Sequence, residues 1–216
     1  MSESVDTAGA SHPDQVVRVA VIGAGNVGSA LARGLARAGH RVTVGVRRPD
    51  RAGDLDSVGI KVTDTASAVA DSGVVVLAVP VPALADAVAS LGPLAGKVVV
   101  DATNAVGIPV PDGHDTVGAY VAVLAPNAFV VKAFNTIGAE HLEDATVDGV
   151  AVFLPIAGAD EGRPAVVALA RSMGFDVADL GGPECIGMVE DAARLWIHLA
   201  FRRGWGRDFG FGVLGR

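Results

Sequence analysis

The sequence predicts an α/β fold. A doubly wound, mostly parallel sheet carries helices on both faces, with a small helical extension at the C-terminal end. Three observations carry this expectation. Short apolar, β-prone runs alternate with alanine-rich stretches of helical period along most of the 216 residues. The run Val74-Val75-Val76-Leu77-Ala78-Val79 is continuously apolar, as a parallel strand covered on both faces requires. The first apolar run, residues 16–22, ends abruptly in Gly23-Ala24-Gly25, and a helical pattern starts at once from Asn26.

Taken in order, the first strand is expected over 16–22. The helix that follows, over 26–38, places Val27, Leu31 and Leu35 at i, i+4 and i+8, a stripe that packs on a sheet. Gly39 ends that helix, and Arg-Val-Thr-Val-Gly at 41–45 reads as the second strand. Residues 51–59 are polar and glycine-bearing, a short and poorly formed helix, and 60–62 is a short third strand. Asp64 is placed to cap a helix running to Ala70. After the 74–79 strand, Pro80 and Pro82 lead into a helix ending near Leu91. Residues 97–100 form another buried strand, ending at Asp101-Ala102-Thr103-Asn104. Beyond a Pro/Gly loop at 107–115, a helix is expected at 116–124 and strands at 129–134 and 151–157. Then come a helix at 163–173, a short strand at 175–178 and a last helical region at 183–201. No composition break marks a linker. The expected organisation is a disordered tail at 1–14, a dinucleotide-binding domain at 15–182, and a helical segment at 183–216 packed on that same domain.

Composition narrows the function classes. Half of the residues are hydrophobic, yet no apolar run reaches the roughly 20 residues that span a bilayer. Residues 1–15 lack the basic cluster and apolar core of a leader peptide. Cys185 is the single cysteine, so an internal disulfide is excluded, and no metal-ligand spacing surrounds it. A cytoplasmic location is expected. The net charge of −7 argues against a nucleic-acid surface, and an anionic ligand must find local positive charge.

The junction at residues 23–28 supplies a specific ligand. Gly23, Ala24, Gly25, Asn26, Val27 and Gly28 spell G-x-G-x-x-G between a strand and a helix, the Rossmann dinucleotide fingerprint. Gly23 permits the tight turn, Gly25 lets a pyrophosphate approach the backbone, and Gly28 lets helix and strand pack closely. The free N–H groups of the helix start then face the anion. At the end of the second strand an NAD site places a carboxylate for the ribose 2′-OH. Here Thr43-Val44-Gly45-Val46-Arg47-Arg48 has none. Arg47 and Arg48 suit a 2′-phosphate through charge-assisted, bidentate bonds, which favours NADP(H) over NAD(H).

Several stretches together resemble one family. They are the 23–28 glycine motif, Gly45-Val46-Arg47-Arg48, Asp101-Ala102-Thr103-Asn104, and Val131-Lys132-Ala133-Phe134-Asn135-Thr136-Ile137-Gly138. With Leu195-Trp196-Ile197-His198-Leu199-Ala200 and Gly204-Trp205-Gly206-Arg207, they resemble the coenzyme F420-dependent NADP oxidoreductases. The stretch at 132–136 is also similar to the NADPH domain of the STEAP ferric reductases. The resemblance implies that residues 23–28 hold the pyrophosphate and that Arg47 and Arg48 hold the 2′-phosphate. It implies that Val79 and Pro80 line the cleft between adenosine and nicotinamide, with Asn104 and Asn135 near the nicotinamide. The implied cofactor is NADP(H) and the implied co-substrate coenzyme F420, with hydride passing between nicotinamide C4 and deazaflavin C5. One departure is Val46, where many members carry a serine that adds a phosphate contact.

Direct transfer between stacked rings needs proximity and orientation more than an acid or base. Accordingly no catalytic triad and no metal cluster is read from the sequence. Glu140, His141 and Asp144 read as a polar helix face rather than a metal site. In the last helix Glu190, Arg194, His198 and Arg202 form a polar stripe. Met188, Ala192, Leu195 and Leu199 form an apolar one, with Trp196 beside it. Two readings of that helix stay open. It is either a plain amphipathic helix with a Glu190–Arg194 surface pair, or a wall of a second-ring pocket or dimer contact through Trp196 and Leu199. Arg202, Arg203 and Arg207 are the basic cluster available to an anionic acceptor. The expected partners are a small-molecule acceptor or donor and a second copy in a homodimer. The rival readings are an NADPH-dependent flavin, ferric, carbonyl or imine reductase, and a non-catalytic NADP(H) sensor.

Overall fold

The computed structural model describes residues 16–48, 55 and 59–214. The expected tail and most of the expected 51–59 helix lie outside the described residues. Ten strands and six α-helices are described in chain order. The first part contains β1 (Arg18–Ile22), α1 (Asn26–Arg37), β2 (Arg41–Gly45), β3 (Lys61–Thr63), α2 (Thr65–Ala70), β4 (Val74–Leu77), α3 (Leu84–Ala89) and β5 (Val98–Asp101). The second contains α4 (Val117–Leu124), β6 (Phe129–Lys132), the hairpin β7 (Thr146–Val147) and β8 (Val150–Ala151), β9 (Phe153–Gly158), α5 (Arg163–Ser172), β10 (Asp176–Asp179) and α6 (Ile186–Ile197). A single π turn, His198–Arg202, follows α6.

Eight strands form one sheet in the order β10-β9-β6-β5-β4-β1-β2-β3. The six from β3 to β6 are parallel. Both faces are covered, and the strands show it residue by residue. Val19 and Val21 of β1 and Val74 and Val76 of β4 point into a core shared with α1 and α5. Ala20, Ile22, Val75 and Leu77 point the other way, into a core shared with α2, α3 and α4. The Leu31 and Leu35 stripe of α1 is buried as the period predicts. Two helices are capped by side chains. Ser67 N donates to Asp64 Oδ1 at 2.9 Å at the start of α2, and Ala119 N donates to Thr116 Oγ1 at 3.0 Å at the start of α4.

The sheet is not parallel throughout. β9 runs antiparallel to β6 and pairs with it only at Val131–Gly158 and Lys132–Ala157, while β10 is parallel to β9. No α-helix lies between β6 and β9, only a short turn and the β7–β8 hairpin, so the chain turns back at the end it left. The expected 129–134 strand stops at Lys132, because Phe134 takes a φ of 61° and swings the chain out of the sheet.

The last helix shows the largest difference from expectation. Its buried face is Ile186, Val189, Ala193 and Trp196, whereas Met188 and Leu195 of the expected apolar stripe are exposed. Glu190 does not pair with Arg194; it turns inward, and Arg194 pairs with Asp191 one turn back. No helix among the described residues is long and apolar enough to cross a membrane.

Candidate functional site

The site forms where the strand order reverses, between β1 and β4. Open α/β sheets leave a crevice there, at the carboxyl ends of the strands. Gly23 leaves β1 with a φ of 109°, and its N–H donates to Gly45 O at 3.0 Å. A Cβ on Gly23 would lie 2.6 Å from Ala78 O. A Cβ on Gly28 would fall on the carbonyl of Gly23 and 3.3 Å from Ala78 Cβ, so α1 packs against the turn itself. Gly25 differs from both: nothing lies within 4 Å of where its Cβ would be. Gly25 is also the N-cap of α1, with no side chain bonded to the first-turn amides. Asn26, Val27 and Gly28 open the helix there, so its donors and the positive end of its dipole face open space.

That space is a cleft of about 520 Å³. Gly23, Ala24 and Gly25 form its floor, and Arg47 and Arg48 stand at the end of β2. Val79, Pro80, Asp86, Ala87 and Ser90 also line it, with Val79 packed beside Gly23. Thr65 joins this lining, and its hydroxyl lies 3.0 Å from Ser90 Oγ. Both arginines are exposed at the cleft rim.

Asn104 and Asn135 do not line this cleft; they meet each other after the adjacent strands β5 and β6. Asn104 Nδ2 donates to Asn135 O at 2.7 Å, and Asn135 Nδ2 donates to Asn104 Oδ1 at 3.1 Å. Asn135 Oδ1 and Thr136 Oγ1 are buried with no hydrogen-bond partner among the described residues. A buried orphan acceptor costs about 1–3 kcal/mol, so such a group is a natural place for a ligand donor.

Beneath this pair lies a buried ionic cluster that sequence reasoning missed. Lys132 Nζ donates to Asp101 Oδ2 at 2.8 Å and to Thr103 O at 2.7 Å, and lies 3.2 Å from Glu190 Oε1. Thr103 N and Oγ1 complete the shell by donating to Asp101 Oδ1 at 2.9 and 2.7 Å. Glu190 Oε1 also accepts from Gly118 N at 3.2 Å. The ammonium therefore ties together the end of β5, the end of β6 and α6. A signal was present in the sequence: Lys132 and Asp101 each end an apolar run, and the two runs lie side by side in register.

The remaining candidates separate. Glu140, His141 and Asp144 do not converge. Arg207 Nε lies 3.1 Å from Glu140 Oε1, His141 Nε2 lies 2.9 Å from Asp208 Oδ1, and Asp144 accepts from Thr146. Trp196 is buried, donates from Nε1 to Phe209 O at 3.0 Å, and stacks on the Phe209 ring at 5.1 Å. It therefore anchors the segment after α6 rather than walling an open pocket. Arg207 is engaged in that same anchorage, while Arg202 and Arg203 stay exposed.

Comparison with known proteins agrees with this geometry. A family model described as NADP oxidoreductase, coenzyme F420-dependent, matches residues 18–105. A solved structure from Arthrobacter sp. FB24, given as a candidate F420-dependent NADP reductase, superimposes with a TM-score of 0.79 at 28% identity. It covers 92% of this chain and 100% of its own. A hypothetical protein of Sinorhizobium meliloti is 32% identical with a TM-score of 0.70, covering 80% of this chain and 88% of its own. The metalloreductase STEAP3 of Rattus norvegicus is 32% identical over 172 residues, which is 80% of this chain and 35% of that protein. The chain thus spans about a third of the length of the curated relatives it matches. The glycine turn, the sheet order and these matches agree: over residues 18–105 the chain is similar to the coenzyme F420-dependent NADP oxidoreductases, and over 80% of its length to the metalloreductase STEAP3.

Proposed function

We propose that this chain is an NADPH-dependent oxidoreductase that moves hydride between NADP(H) and a flat ring acceptor of the deazaflavin type, coenzyme F420. The observation that carries the proposal is the pairing of an unobstructed glycine turn with an arginine pair across one cleft. The open position at Gly25 and the uncapped start of α1 suit a pyrophosphate, whose oxygens would accept from the first-turn amides. Arg47 and Arg48 suit a 2′-phosphate, since β2 ends without a carboxylate. Val79 and Pro80 supply an apolar wall between the two ends.

NADPH, when bound, supplies the hydride. The protein's part is to bind, orient and exclude water. The Asn104–Asn135 pair sits at the carboxyl ends of β5 and β6, and the orphan Asn135 Oδ1 suits the amide N–H of a nicotinamide. Each asparagine bonds the other, so their amides are held by the protein before any ligand arrives, and neither titrates.

The test is an acceptor screen that follows NADPH absorbance with F420, FMN, FAD and a ferric chelate in parallel. Turnover with F420 is the expected result. Turnover restricted to the flavins, the ferric chelate or a small carbonyl or imine would replace the deazaflavin with that acceptor. Tight NADPH binding with no turnover at all would point to a sensor.

A further inference from the structure

We infer that Glu190 makes the protein hold the oxidised nucleotide more tightly than it otherwise would, so that bound NADPH is a stronger hydride donor. The inference rests on the reading of the Asn104–Asn135 pair as the nicotinamide site. It starts from a charge count. Asp101 and Glu190 both meet the single ammonium of Lys132, at 2.8 and 3.2 Å. Among the described residues no second cation lies within ion-pair distance of either carboxylate. Lys132 and Asp101 have no solvent exposure, and the Glu190 side chain is 12% exposed. Two carboxylates and one ammonium leave an excess of one negative charge where water screens it little. Gly118 N, in the first turn of α4, donates to Glu190 Oε1 at 3.2 Å. A helix start supplies about half a positive charge, so the excess shrinks but keeps its sign.

The cluster is tied to the asparagine pair through the backbone. Thr103 O accepts from Lys132 Nζ, and Asn104 is the next residue. Lys132 itself stands three positions before Asn135. A nicotinamide held by that pair changes charge in the reaction. NADPH carries a neutral dihydropyridine ring. When its C4–H bond breaks with both electrons, the hydride passes to the ring acceptor and a pyridinium cation stays behind. The phosphates keep their charges. A fixed negative excess under the pair therefore favours NADP+ and is nearly indifferent to NADPH. At the range of a few residues, in a medium of effective dielectric about 20, a unit charge changes that preference by on the order of tenfold. Asp101 is matched by Lys132 across the two strands, in register. Glu190 arrives from α6 without a counter-charge of its own and supplies the excess.

The test is calorimetric titration of the full chain with NADP+ and with NADPH at one ionic strength. Glu190→Gln keeps an oxygen for Gly118 N and leaves a balanced Lys132–Asp101 pair, so Tm should stay near that of the parent chain. The Kd for NADP+ should rise on the order of tenfold, while that for NADPH moves by less than about twofold. Asp101→Asn removes one charge from the other side of the ammonium and should shift the ratio in the same direction, which gives a second variant. Asp191→Asn removes the same formal charge from the exposed side of α6 and should leave both values alone. A purely structural role for Glu190 would weaken both nucleotides together. An equal loss for both, an unchanged ratio, or the same shift from Asp191→Asn would overturn the inference and leave the cofactor reading standing. A parent chain that binds neither nucleotide would overturn the cofactor reading and this inference with it.

Discussion

Lys132 and Asp101 face each other in register on neighbouring parallel strands, 2.8 Å apart, and neither side chain has any exposure to solvent. Glu190 joins them from α6, so one ammonium satisfies two carboxylates and a carbonyl at the carboxyl edge of the sheet. Removing one member of such a buried group leaves charge without compensation, which costs about 3–5 kcal/mol. Lys132→Met is therefore expected to lower the unfolding free energy by about that amount in urea titration. Adding Asp101→Asn should recover part of it, because the amide oxygen still accepts from Thr103 while the stranded charge is gone. No recovery in the double variant would mean that the loss is packing rather than charge.

The arginine pair is expected to set nucleotide choice. Arg47→Ala with Arg48→Ala should raise the Kd for NADPH by about tenfold or more per charge-assisted bond lost, with NADH little changed. Calorimetric titration with the two nucleotides reads this directly. An equal loss for both would place the 2′-phosphate elsewhere.

Two glycines of one motif are expected to fail in different ways. Gly25 has a φ of −75° and open space beyond it, so Gly25→Val should fold with an unchanged Tm and bind no dinucleotide. Gly23 has a φ of 109° and a carbonyl 2.6 Å from any Cβ, so Gly23→Ala should lose stability. Thermal melts and NADPH titration of both variants separate the roles; a stable, binding-competent Gly25→Val would refute the pyrophosphate placement.

Acid sensitivity is expected at a site remote from the cleft. Burial lowers the pKa of His40. Its Nδ1 accepts from Val17 N at 3.3 Å and its Nε2 lies 2.9 Å from Ser172 Oγ, linking the start of β1 to the end of α5. Protonation would remove the acceptor that Val17 uses. The folded state holds this proton less tightly than the unfolded chain. The contribution is therefore complete above the ordinary histidine value of about 6.5 and declines as pH falls through the lowered folded value. Urea titrations between pH 7.5 and about 5 should show that decline. His40→Gln should flatten it.

The parts of the fold set by local chemistry were legible from the sequence. The glycine turn, the Asp64 cap and the buried β4 run depend on residues within a few positions of one another. Strand direction does not. β9 looks like any short apolar strand, and only the lack of a helix between it and β6 sets its direction. The last helix escaped for another reason: two apolar stripes on one helix each satisfy the pattern, and periodicity does not say which meets the sheet. Glu190 read as a surface acid because its partner, Lys132, lies 58 positions away (190 less 132) in a strand whose other residues are apolar.

The segment after α6 has a practical consequence for anyone handling the protein. Arg207 and Asp208 reach Glu140 and His141, Phe209 receives the Trp196 indole, and Phe153 N donates to Phe211 O at 2.8 Å. Residues 207–211 are thus fastened to the segment that follows Asn135, whereas Arg18 opens β1 at the amino ends of the parallel strands. Affinity tags, fluorescent fusions and surface-immobilisation handles belong at the amino end. A bulky carboxyl-terminal fusion should slow turnover while leaving nucleotide affinity intact, and side-by-side kinetics of the two fusions would show it.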